Sequence, residues 1–408
     1  MYVWEYLFRV KVKKWALFLK FLIIKKITLI YFRNYKKENI NFDNKINIII
    51  GDNAQGKTNI LESIYFLALT KSYRTNDINL INLDSEFTKV KGELKSDRLL
   101  KKLEVLINKD STKEVKINNN NLRKISDYIT NMNVILISPE DINILGGSPA
   151  DRRNFLNIEL SQLSKNYINK YNEFNKLLKI RNNYLKLMYN SFNKDNRYLD
   201  SITENLIDRE LDIYIERKNF IDEINNRVSD IYKDITGRDN FKLVYKTNIE
   251  IDNYEKDHLR EILTNKYKSS YNKEIEQGMT IYGPHRDDLE FYLDDKDISV
   301  FGSQGQQKLA IIATKLSEIE IFKKITNDYP ILLLDDIFSE LDSKNRNKLV
   351  EYINDNIQVI ITSNDTKGIS KKLLDNAKIF KVSNGIITEK VSTKWKKKKN
   401  MIHPQYKY

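Results

Sequence analysis

The chain has 408 residues, of which 41% are hydrophobic, enough for a large core and roughly two to three domains. It contains no cysteine, which excludes disulfide scaffolds, cysteine zinc sites, iron–sulfur clusters and thiol nucleophiles, and its three histidines argue against a histidine-rich metal centre. The net charge of +13 favours a polyanionic partner such as nucleic acid, although the abundance of Lys, Asn and Ile, typical of AT-rich coding, accounts for part of it.

Residues 1–22 are apolar and basic but match neither a signal peptide nor a membrane anchor. Their longest uncharged run, Trp15–Leu19, ends at Lys20 and is far shorter than the ~20 apolar residues of a spanning helix. We interpret this segment as a doubtful extension, with the true start near Leu22–Ile24; an interfacial amphipathic helix is the alternative. No other segment reads as membrane-spanning, so we predict a cytoplasmic protein without a membrane partner.

A phosphate-binding loop is predicted at residues 51–58, where GDNAQGKT matches G-x-x-x-x-G-K-[ST] at every fixed position. The apolar run Ile46–Ile50 before it is typical of a buried strand, and apolar residues recur at helical spacing after it. Lys57 would reach the β- and γ-phosphates of ATP, and the Thr58 hydroxyl would bind Mg²⁺. The predicted nucleotide-binding residues are Gly51, Asp52, Asn53, Ala54, Gln55, Gly56, Lys57, Thr58 and Asn59.

The chain from the 60s to the 130s is predicted to be rich in β-strands. Polar and apolar residues alternate in Phe87–Leu94 and in Leu103–Ile107, as in half-buried strands. The run Asn118–Asn121 predicts a hairpin turn before Leu122.

Two apolar stripes follow, from Leu160 to Met188 and from Leu199 to Ile231. Their three- and four-residue steps predict two helices of about 30 residues each. Both fall within a helical lobe predicted at residues 150–278, and the plainest interpretation of the stripes is the core of a short helical bundle.

Residues 303–307 read SQGQQ and precede apolar residues at helical spacing. On their own these residues predict a glycine-containing turn and a helix N-cap. A Ser and a Gly at a helix N-terminus also make an anion site. The stretch resembles the signature of ABC-type ATPases, which in that class meets the γ-phosphate held by the other subunit. That resemblance implies a trans signature formed by Ser303, Gln304, Gly305, Gln306 and Gln307.

Residues 331–336, ILLLDD, predict a buried strand that ends in two carboxylates. Asp335 would hold Mg²⁺, and Asp336 would orient and deprotonate the attacking water, so Asp336 and Lys57 are the predicted catalytic residues. Because 277 positions separate Thr58 from Asp335, a large insertion must divide the nucleotide-binding domain.

The residues after this strand follow the order of ABC-type ATPases. Ser339 and Asp342 resemble the D-loop of that class. Val359–Thr362 predicts the next strand, and Ser363 and Asn364 follow it where these ATPases carry a switch residue. That residue is commonly His, so the assignment of the switch stays open.

Several stretches, in the same order, resemble the RecF family of bacterial recombination-repair ATPases. They are FRNY (32–35), GDNAQGKTN (51–59), SPEDINILGGSPADRRNFLN (138–157), GPHRDDL (283–289), SQGQQ (303–307) and LLLDDIFSELD (332–342). The resemblance implies an α/β fold in which an ABC-type, SMC-head-like P-loop ATPase domain is split by an inserted helical lobe. The predicted domains are an extension at 1–22, the N-terminal half of the head with a β-rich subdomain at 23–149, the lobe at 150–278, the C-terminal half at 279–390 and a basic tail at 391–408.

The same resemblance implies a weak ATPase in which ATP and Mg²⁺ control DNA binding and dimerisation. The expected target is duplex DNA at single-strand/double-strand junctions, bound by an ATP-dependent homodimer. RecO and RecR would be partners, helping RecA to displace single-strand-binding protein at gaps. Arg152 and Arg153 are candidate DNA contacts, with salt bridges inside the fold as the alternative.

Other classes of protein stay open. An SMC-like DNA-organising ATPase head is the main alternative, although the short lobe and the lack of a hinge argue against it. A nuclease would need an additional metal-binding domain, and a helicase would unwind DNA steadily with ATP. A transporter subunit would need a membrane partner, and the GPHRDD and SPED stretches argue against that class.

Overall fold

The computed structural model describes residues 22–96, 99–190, 196–353, 356–367 and 369–390. The predicted N-terminal extension, except for Leu22, and the predicted basic tail lie outside the described residues. Contacts divide the chain into two compact units. We call them the discontinuous unit, which runs up to Glu140 and resumes at Glu318, and the inserted unit, Asp141–Ser317.

The strands and helices alternate along the described chain as in other mixed α/β proteins. The strands are β1 Ile23–Phe32, β2 Tyr35–Asn41, β3 Ile46–Ile50, β4 Phe87–Ser96, β5 Leu99–Asn108, β6 Lys113–Ile117, β7 Asn120–Asn121, β8 Val134–Ile137, β9 Phe241–Lys246, β10 Asp288–Leu293, β11 Lys296–Asp297, β12 Ile331–Asp335, β13 Val359–Ser363, β14 Ala377–Ser383 and β15 Ile386–Lys390. The α-helices are α1 Lys57–Leu69, α2 Ser126–Ile129, α3 Asn143–Gly146, α4 Pro149–Leu163, α5 Lys165–Asn190, α6 Asn196–Thr236, α7 Lys256–Gln277, α8 Ile298–Phe301, α9 Gln304–Thr326, α10 Ile337–Glu340, α11 Ser343–Tyr352 and α12 Lys371–Asn376.

A mainly parallel sheet of order β15-β14-β3-β13-β12-β8 forms the centre of the discontinuous unit. Its inner strands are nearly all apolar because a parallel sheet is covered on both faces. Strand β13 lies between β3 and β12, with Ser363 opposite Ile50 and Thr362 opposite Asp335. The strands predicted at 46–50, 331–336 and 359–362 are therefore confirmed, and their carboxyl ends meet at one edge of the sheet.

An antiparallel sheet of order β2-β1-β4-β5-β6-β7 forms the second layer of this unit. Its residues alternate between buried and exposed, as predicted for this region. A Cβ at Gly92 of β4 would lie 2.2 Å from Leu67 Cδ2, so the glycine permits the close approach of α1 to this sheet. The predicted turn is confirmed at Asn118 and Asn119, whose φ angles of 50° and 68° suit a tight hairpin.

The inserted unit contains the three long helices α5, α6 and α7, together with α3, α4, α8, most of α9 and a small sheet of order β11-β10-β9. The prediction of one helix from Leu160 to Met188 is wrong, because the chain is extended at Ser164, so Leu160 and Leu163 belong to α4. Helix α5 has 26 residues and α6 has 41, so the two predicted helices of similar length are in fact unequal. Helix α6 is longer because its apolar stripe continues to Ile235; it then ends before Gly237, whose φ of 79° is left-handed.

The predicted domain boundaries at 150 and 278 stay a prediction. The boundary at 278 separates β9 from β10. These two strands pair with each other, and both lie in the compact inserted unit. Among the described residues, no helix is both long and apolar enough to cross a membrane.

Candidate nucleotide site

The loop between β3 and α1 has the backbone that a phosphate cradle requires. Gly56, at the N-cap of α1, has a φ of 109°, in a region that glycine adopts without strain. A Cβ at this position would lie 2.7 Å from both Asn34 Nδ2 and the Tyr35 hydroxyl. Both the backbone conformation and the close neighbours therefore require glycine.

The turn between β1 and β2 holds this loop in place. The Tyr35 hydroxyl donates to the carbonyl of Gly56 at 2.9 Å, and Asn34 Nδ2 donates to the carbonyl of Gln55 at 3.2 Å. Asn59 Nδ2 returns a hydrogen bond to Asn34 Oδ1 at 2.9 Å. The FRNY stretch, quoted above only for a family resemblance, thus has a physical role in supporting the loop.

The side chain of Lys57 bends back over its own loop. Its ammonium donates to the carbonyls of Gly51 and Asp52, each at 2.8 Å, and to Asn364 Oδ1 at 3.0 Å. Burial lowers the pKa of Lys57, while the negative charges of Asp336, Asp335 and Asp52 act in the opposite direction. The lysine is thus a cation held beside the loop by neutral oxygen atoms.

Asp335 joins the two distant sequence elements. Its Oδ1 accepts hydrogen bonds from the hydroxyls of Thr58 at 3.0 Å and of Thr362 at 2.6 Å. Its Oδ2 accepts one from the Tyr73 hydroxyl at 3.2 Å. Burial and then the charge of Asp335 raise the pKa of Tyr73 well above its usual value, so this phenol remains a donor.

Asp336 has the environment of a base. Its φ of 51° is left-handed, and its N–H donates to the Thr362 hydroxyl at 3.0 Å. Its Oδ1 is buried and has no hydrogen-bond partner among the described residues. Burial raises the pKa of Asp336; a hydrogen bond with Ser339 and the charge of Lys57 act in the opposite direction, and the charges of Asp335 and Glu340 raise it. A raised pKa makes a carboxylate a better proton acceptor.

These groups surround one cavity of the discontinuous unit. Its lining residues are Asn53, Ala54, Gly56, Lys57, Thr58, Asn59, Arg74, Asp335, Asp336, Thr362 and Asn364. Sequence analysis missed Tyr73, Arg74 and Thr362 as site residues. Thr362 could have been found from its place at the end of a predicted strand, but no spacing pattern indicates Tyr73 or Arg74, which lie in a loop.

The residues present fit Mg²⁺ and a nucleotide. Thr58 and Asp335 offer oxygen atoms, the ligands that Mg²⁺ prefers, and Mg²⁺ usually takes its remaining ligands from water and phosphate. No cluster of three or more His, Cys, Asp or Glu side chains suited to a metal occurs in the described part of the chain. When bound, the ion would neutralise charge on the phosphates.

The predicted signature lies at the start of α9 in the inserted unit. The Ser303 N–H donates to Gln306 Oε1 at 2.8 Å, and the Gln306 N–H donates to Ser303 Oγ at 3.3 Å. Ser303, Gln304 and Gly305 are exposed. Gln307 Nε2 donates to the carbonyls of residues 298 and 299, both at 3.1 Å, and so fixes the preceding turn.

The two predicted D-loop residues support local structure. The Ser339 hydroxyl donates to the carbonyl of Asp336 at 2.7 Å. Asp342 caps α11, because its Oδ1 accepts the N–H of Asn345 at 2.8 Å.

Arg152 and Arg153 both make contacts within the inserted unit. The Arg152 guanidinium binds the Asp288 carboxylate with two hydrogen bonds, at 2.5 and 2.9 Å. Arg153 Nη1 donates to the carbonyl of Asp287 at 2.7 Å. Their assignment as DNA contacts stays a prediction.

Comparisons with known proteins agree with this geometry. A model of the RecF/RecN/SMC N-terminal domain matches residues 23–388. The chain is 38% identical over 365 residues to the DNA replication and repair protein RecF of Geobacillus sp. (strain WCH70). The aligned residues make up 89% of this chain and 97% of that protein. The chain belongs to the RecF family. RecF of Ligilactobacillus salivarius (strain UCC118) is 37% identical, over 90% of this chain and 98% of that protein.

Solved structures support the same conclusion. The recombination mediator protein RecF with ATP, in the RecFOR pathway, superposes with a TM-score of 0.84 and 30% identity, over 92% of this chain and 99% of that one. An Smc head domain from Pyrococcus furiosus has a TM-score of 0.53 at 18% identity, over 93% and 98% of the two chains, and so shares the fold. The predicted α/β, ABC-type and SMC-head-like fold is confirmed for this RecF-family chain.

Proposed function

We propose that this RecF-family chain is an ATP-dependent DNA-binding protein of recombinational repair and replication. It binds duplex DNA at single-strand gaps as an ATP-gated dimer and promotes RecA loading together with RecO and RecR. The observation that carries the proposal is the hydrogen bond between Thr58 and Asp335, 277 positions apart, which unites the phosphate loop with the acidic strand.

The nucleotide part follows from the charges in the cavity. Lys57 and the N-terminus of α1 provide positive charge for the phosphates of ATP. Thr58 and Asp335 would hold Mg²⁺. Asp336 would orient water and take its proton, and this role is supported by its buried Oδ1, which makes no hydrogen bond among the described residues. We propose a slow hydrolysis that acts as a switch.

The dimer part depends on the signature. Ser303 and Gly305 are exposed, and apart from its chain neighbours and the backbone of its own helix, no heavy atom of the described residues lies within 4 Å of a Cβ built at Gly305. This open surface leaves room for a γ-phosphate held by a second copy. Hydrolysis would remove that contact, and only such a difference in contact can shift the dimer equilibrium.

The proposed DNA binding is supported by the charge of the chain and by its relatives. The net charge of +13 favours a polyanion. Relatives are named for DNA replication and repair, and the solved RecF structures are described as a recombination mediator in the RecFOR pathway. RecO and RecR are therefore the proposed direct partners, and RecA and single-strand-binding protein the indirect ones.

The test is binding to a gapped duplex at several salt concentrations, with ATP and Mg²⁺ against ADP and Mg²⁺. We expect tight binding with ATP and loss with ADP, and the salt slope should count the phosphates neutralised. Ser303→Arg should keep ATP binding but prevent the ATP-dependent dimer and the tight DNA complex.

The matched control is Ser201→Arg, which adds the same charge at another exposed serine of the inserted unit. It should dimerise like the unaltered chain. Equal DNA binding with ATP and ADP would contradict ATP gating, and a dimer of Ser303→Arg in sedimentation with ATP would contradict the trans signature.

A further inference from the structure

The carboxylate of Asp335 accepts hydrogen bonds from three hydroxyl groups that come from three parts of the chain. Thr58, in α1, donates to Oδ1 at 3.0 Å, and Thr362, in β13, donates to the same oxygen at 2.6 Å. Tyr73, in the loop after α1, donates to Oδ2 at 3.2 Å, across 262 positions of chain. The two oxygens of this carboxylate therefore have different partners, and Tyr73 is the described partner of Oδ2.

The distance between Thr58 and Asp335 suits a shared Mg²⁺ ion. Two neighbouring ligands of an octahedral ion, each about 2.0–2.1 Å from it, lie about 2.9 Å from each other. Thr58 Oγ1 and Asp335 Oδ1 are 3.0 Å apart. Oδ1 is thus the oxygen of Asp335 that can act together with Thr58, while Oδ2 stays bonded to the phenol.

The bond from Tyr73 can persist when the role of Thr58 changes. A threonine that gives its oxygen to a cation turns its hydrogen away from that cation, so Thr58 would stop donating to Oδ1. The bond from Thr362 to Oδ1 alone leaves the carboxylate able to rotate, because the last torsion of an aspartate side chain is broad. Tyr73 removes that freedom, since it holds the second oxygen.

The loop that carries Tyr73 is fastened to α1. The Ser72 hydroxyl donates to Glu62 Oε1 at 2.6 Å, and Glu62, buried in α1, pairs with Arg33 at 2.8 Å. The Tyr73 ring packs edge-on against the ring of Tyr65 on the same helix, with centroids 5.2 Å apart. Helix α1 also carries the threonine of the phosphate loop. One helix therefore holds both the tyrosine and the threonine that contact the carboxylate.

We propose that Tyr73 is a positioning residue for Mg²⁺ binding, because its hydroxyl holds Oδ2 of Asp335 and so keeps Oδ1 directed at Thr58. The inference deepens the proposed function and depends on it. The residues that line the cavity include Asp335 but not Tyr73, so the phenol acts through the carboxylate. Groups that orient a metal ligand in this way typically contribute about 10–100-fold to metal affinity.

The chain offers a matched pair of variants. Tyr73→Phe removes the hydroxyl and keeps the ring against Tyr65. The control is Tyr31→Phe in β1, which removes the same atom from a ring that also packs edge-on, here against Phe87 with centroids 5.5 Å apart. Tyr31 is not among the residues that line the cavity. The two variants therefore differ in the contact with Asp335.

The test measures the dissociation constant of a non-hydrolysable ATP analogue by calorimetry on the full chain, once with Mg²⁺ and once with EDTA. With Mg²⁺, Tyr73→Phe should weaken analogue binding by at least about tenfold, because the complex then includes the ion that Asp335 helps to hold. With EDTA, the same change should alter binding by less than about twofold, since no ion is bound. Tyr31→Phe should bind like the unaltered chain under both conditions.

A similar loss of affinity with Mg²⁺ and with EDTA would overturn the inference, since Tyr73 would then support the site as a whole. Equal affinity of Tyr73→Phe and the unaltered chain in Mg²⁺ would overturn it as well. Thermal unfolding without ligands shows that each variant is folded. Failure of the unaltered chain to bind the analogue with Mg²⁺ would refute the proposed function, and the inference with it, so the two failures are distinguishable.

Discussion

The nucleotide site of the discontinuous unit and the core of the inserted unit both contain charged residues, but they use them differently. In the inserted unit, Arg217 is 1% exposed and donates to the carbonyl of Pro284 at 2.7 Å, to Asn157 Oδ1 at 2.9 Å and to Asp287 at 3.4 Å. In the nucleotide site, the buried Oδ1 of Asp336 has no such partner among the described residues. The first set of charges is paired internally, and the second is left able to receive a ligand.

The difference shows that a charged residue in a sequence motif can either stabilise the fold or bind a ligand, and that its contacts decide between the two. A buried ion pair loses its hydration, so it is retained only where further hydrogen bonds satisfy both partners, as around Arg217. A binding site must instead keep some polar groups without partners in the protein, because these groups bind water in the free protein and phosphate in the complex. The GPHRDDL stretch therefore pairs its carboxylates inside the fold of its unit, whereas the LLLDDIFSELD stretch presents two carboxylates to the cavity.

The largest expected effect is on the stability of the inserted unit. Arg217→Leu leaves the Asp287 carboxylate buried without its ion pair and should lower the free energy of unfolding by about 3–5 kcal/mol. Chemical denaturation of the full chain measures this. The control is Arg209→Ala on the same helix, whose ion pair with Glu173 is partly exposed, and it should cost less than about 1 kcal/mol. A loss below about 1 kcal/mol for Arg217→Leu would contradict a stabilising pairing of Arg217 with Asp287.

The next effect is on turnover. Asp336→Asn keeps the shape of the side chain but removes the base, so the rate of ATP hydrolysis should fall by at least about 100-fold. Affinity for a non-hydrolysable ATP analogue should stay within a few-fold, and the ATP-bound dimer should persist. Stability should change little, since the buried Oδ1 has no hydrogen-bond partner among the described residues. Glu340→Gln, a nearby carboxylate variant, is the control; a similar loss of rate there would argue against a specific role for Asp336.

A smaller effect concerns pH. Burial lowers the pKa of His285 to about 4, from an ordinary value of 6.5. Between these values the unfolded chain binds a proton that the folded chain does not, so this contribution to stability is present above pH 6.5 and is lost as the pH falls. From pH 7.5 to 5, the unaltered chain should lose about 2 kcal/mol more than His285→Gln.

Denaturation of both proteins at the two pH values measures that difference. Burial raises the pKa of Asp287 to about 6, which acts in the opposite direction. Because Asp287 is present in both proteins, its contribution cancels when they are compared. Parallel pH curves would show that His285 is not buried in the neutral form.

The smallest expected effect tests whether Arg152 makes a salt bridge within the fold or contacts DNA. Its guanidinium binds Asp288 and is 13% exposed, so Arg152→Ala should cost about 1–2 kcal/mol of stability. The salt slope of DNA binding should stay unchanged, because the guanidinium is already engaged. A slope reduced by about one would support the DNA contact predicted from the sequence.

Much of the fold could be predicted because its signals are local. The conformation of the strand Ile46–Ile50 and of the glycines after it depends mainly on these residues themselves. The same is true of the turn at Asn118 and Asn119. The lengths of α5 and α6 were predicted less well, because the end of α6 depends on which apolar residues find a partner. Tyr73, which bonds Asp335, and Arg74, which lines the cavity, were missed as site residues because they lie in a loop without periodicity.

By itself, the sequence determined the phosphate loop, the acidic strand and the order of the elements, since each depends on residues close together in the chain. Only the tertiary structure decided which charges face the cavity and which are paired internally. Asp335 and Thr58 meet because parallel strands bring their carboxyl ends to one edge of the sheet, and the same packing places Asn364 on Lys57. Arg152 meets Asp288, 136 positions away along the chain, because α4 packs against β10. Burial and pairing are properties of the folded neighbourhood, so the role of a charged residue follows from its contacts.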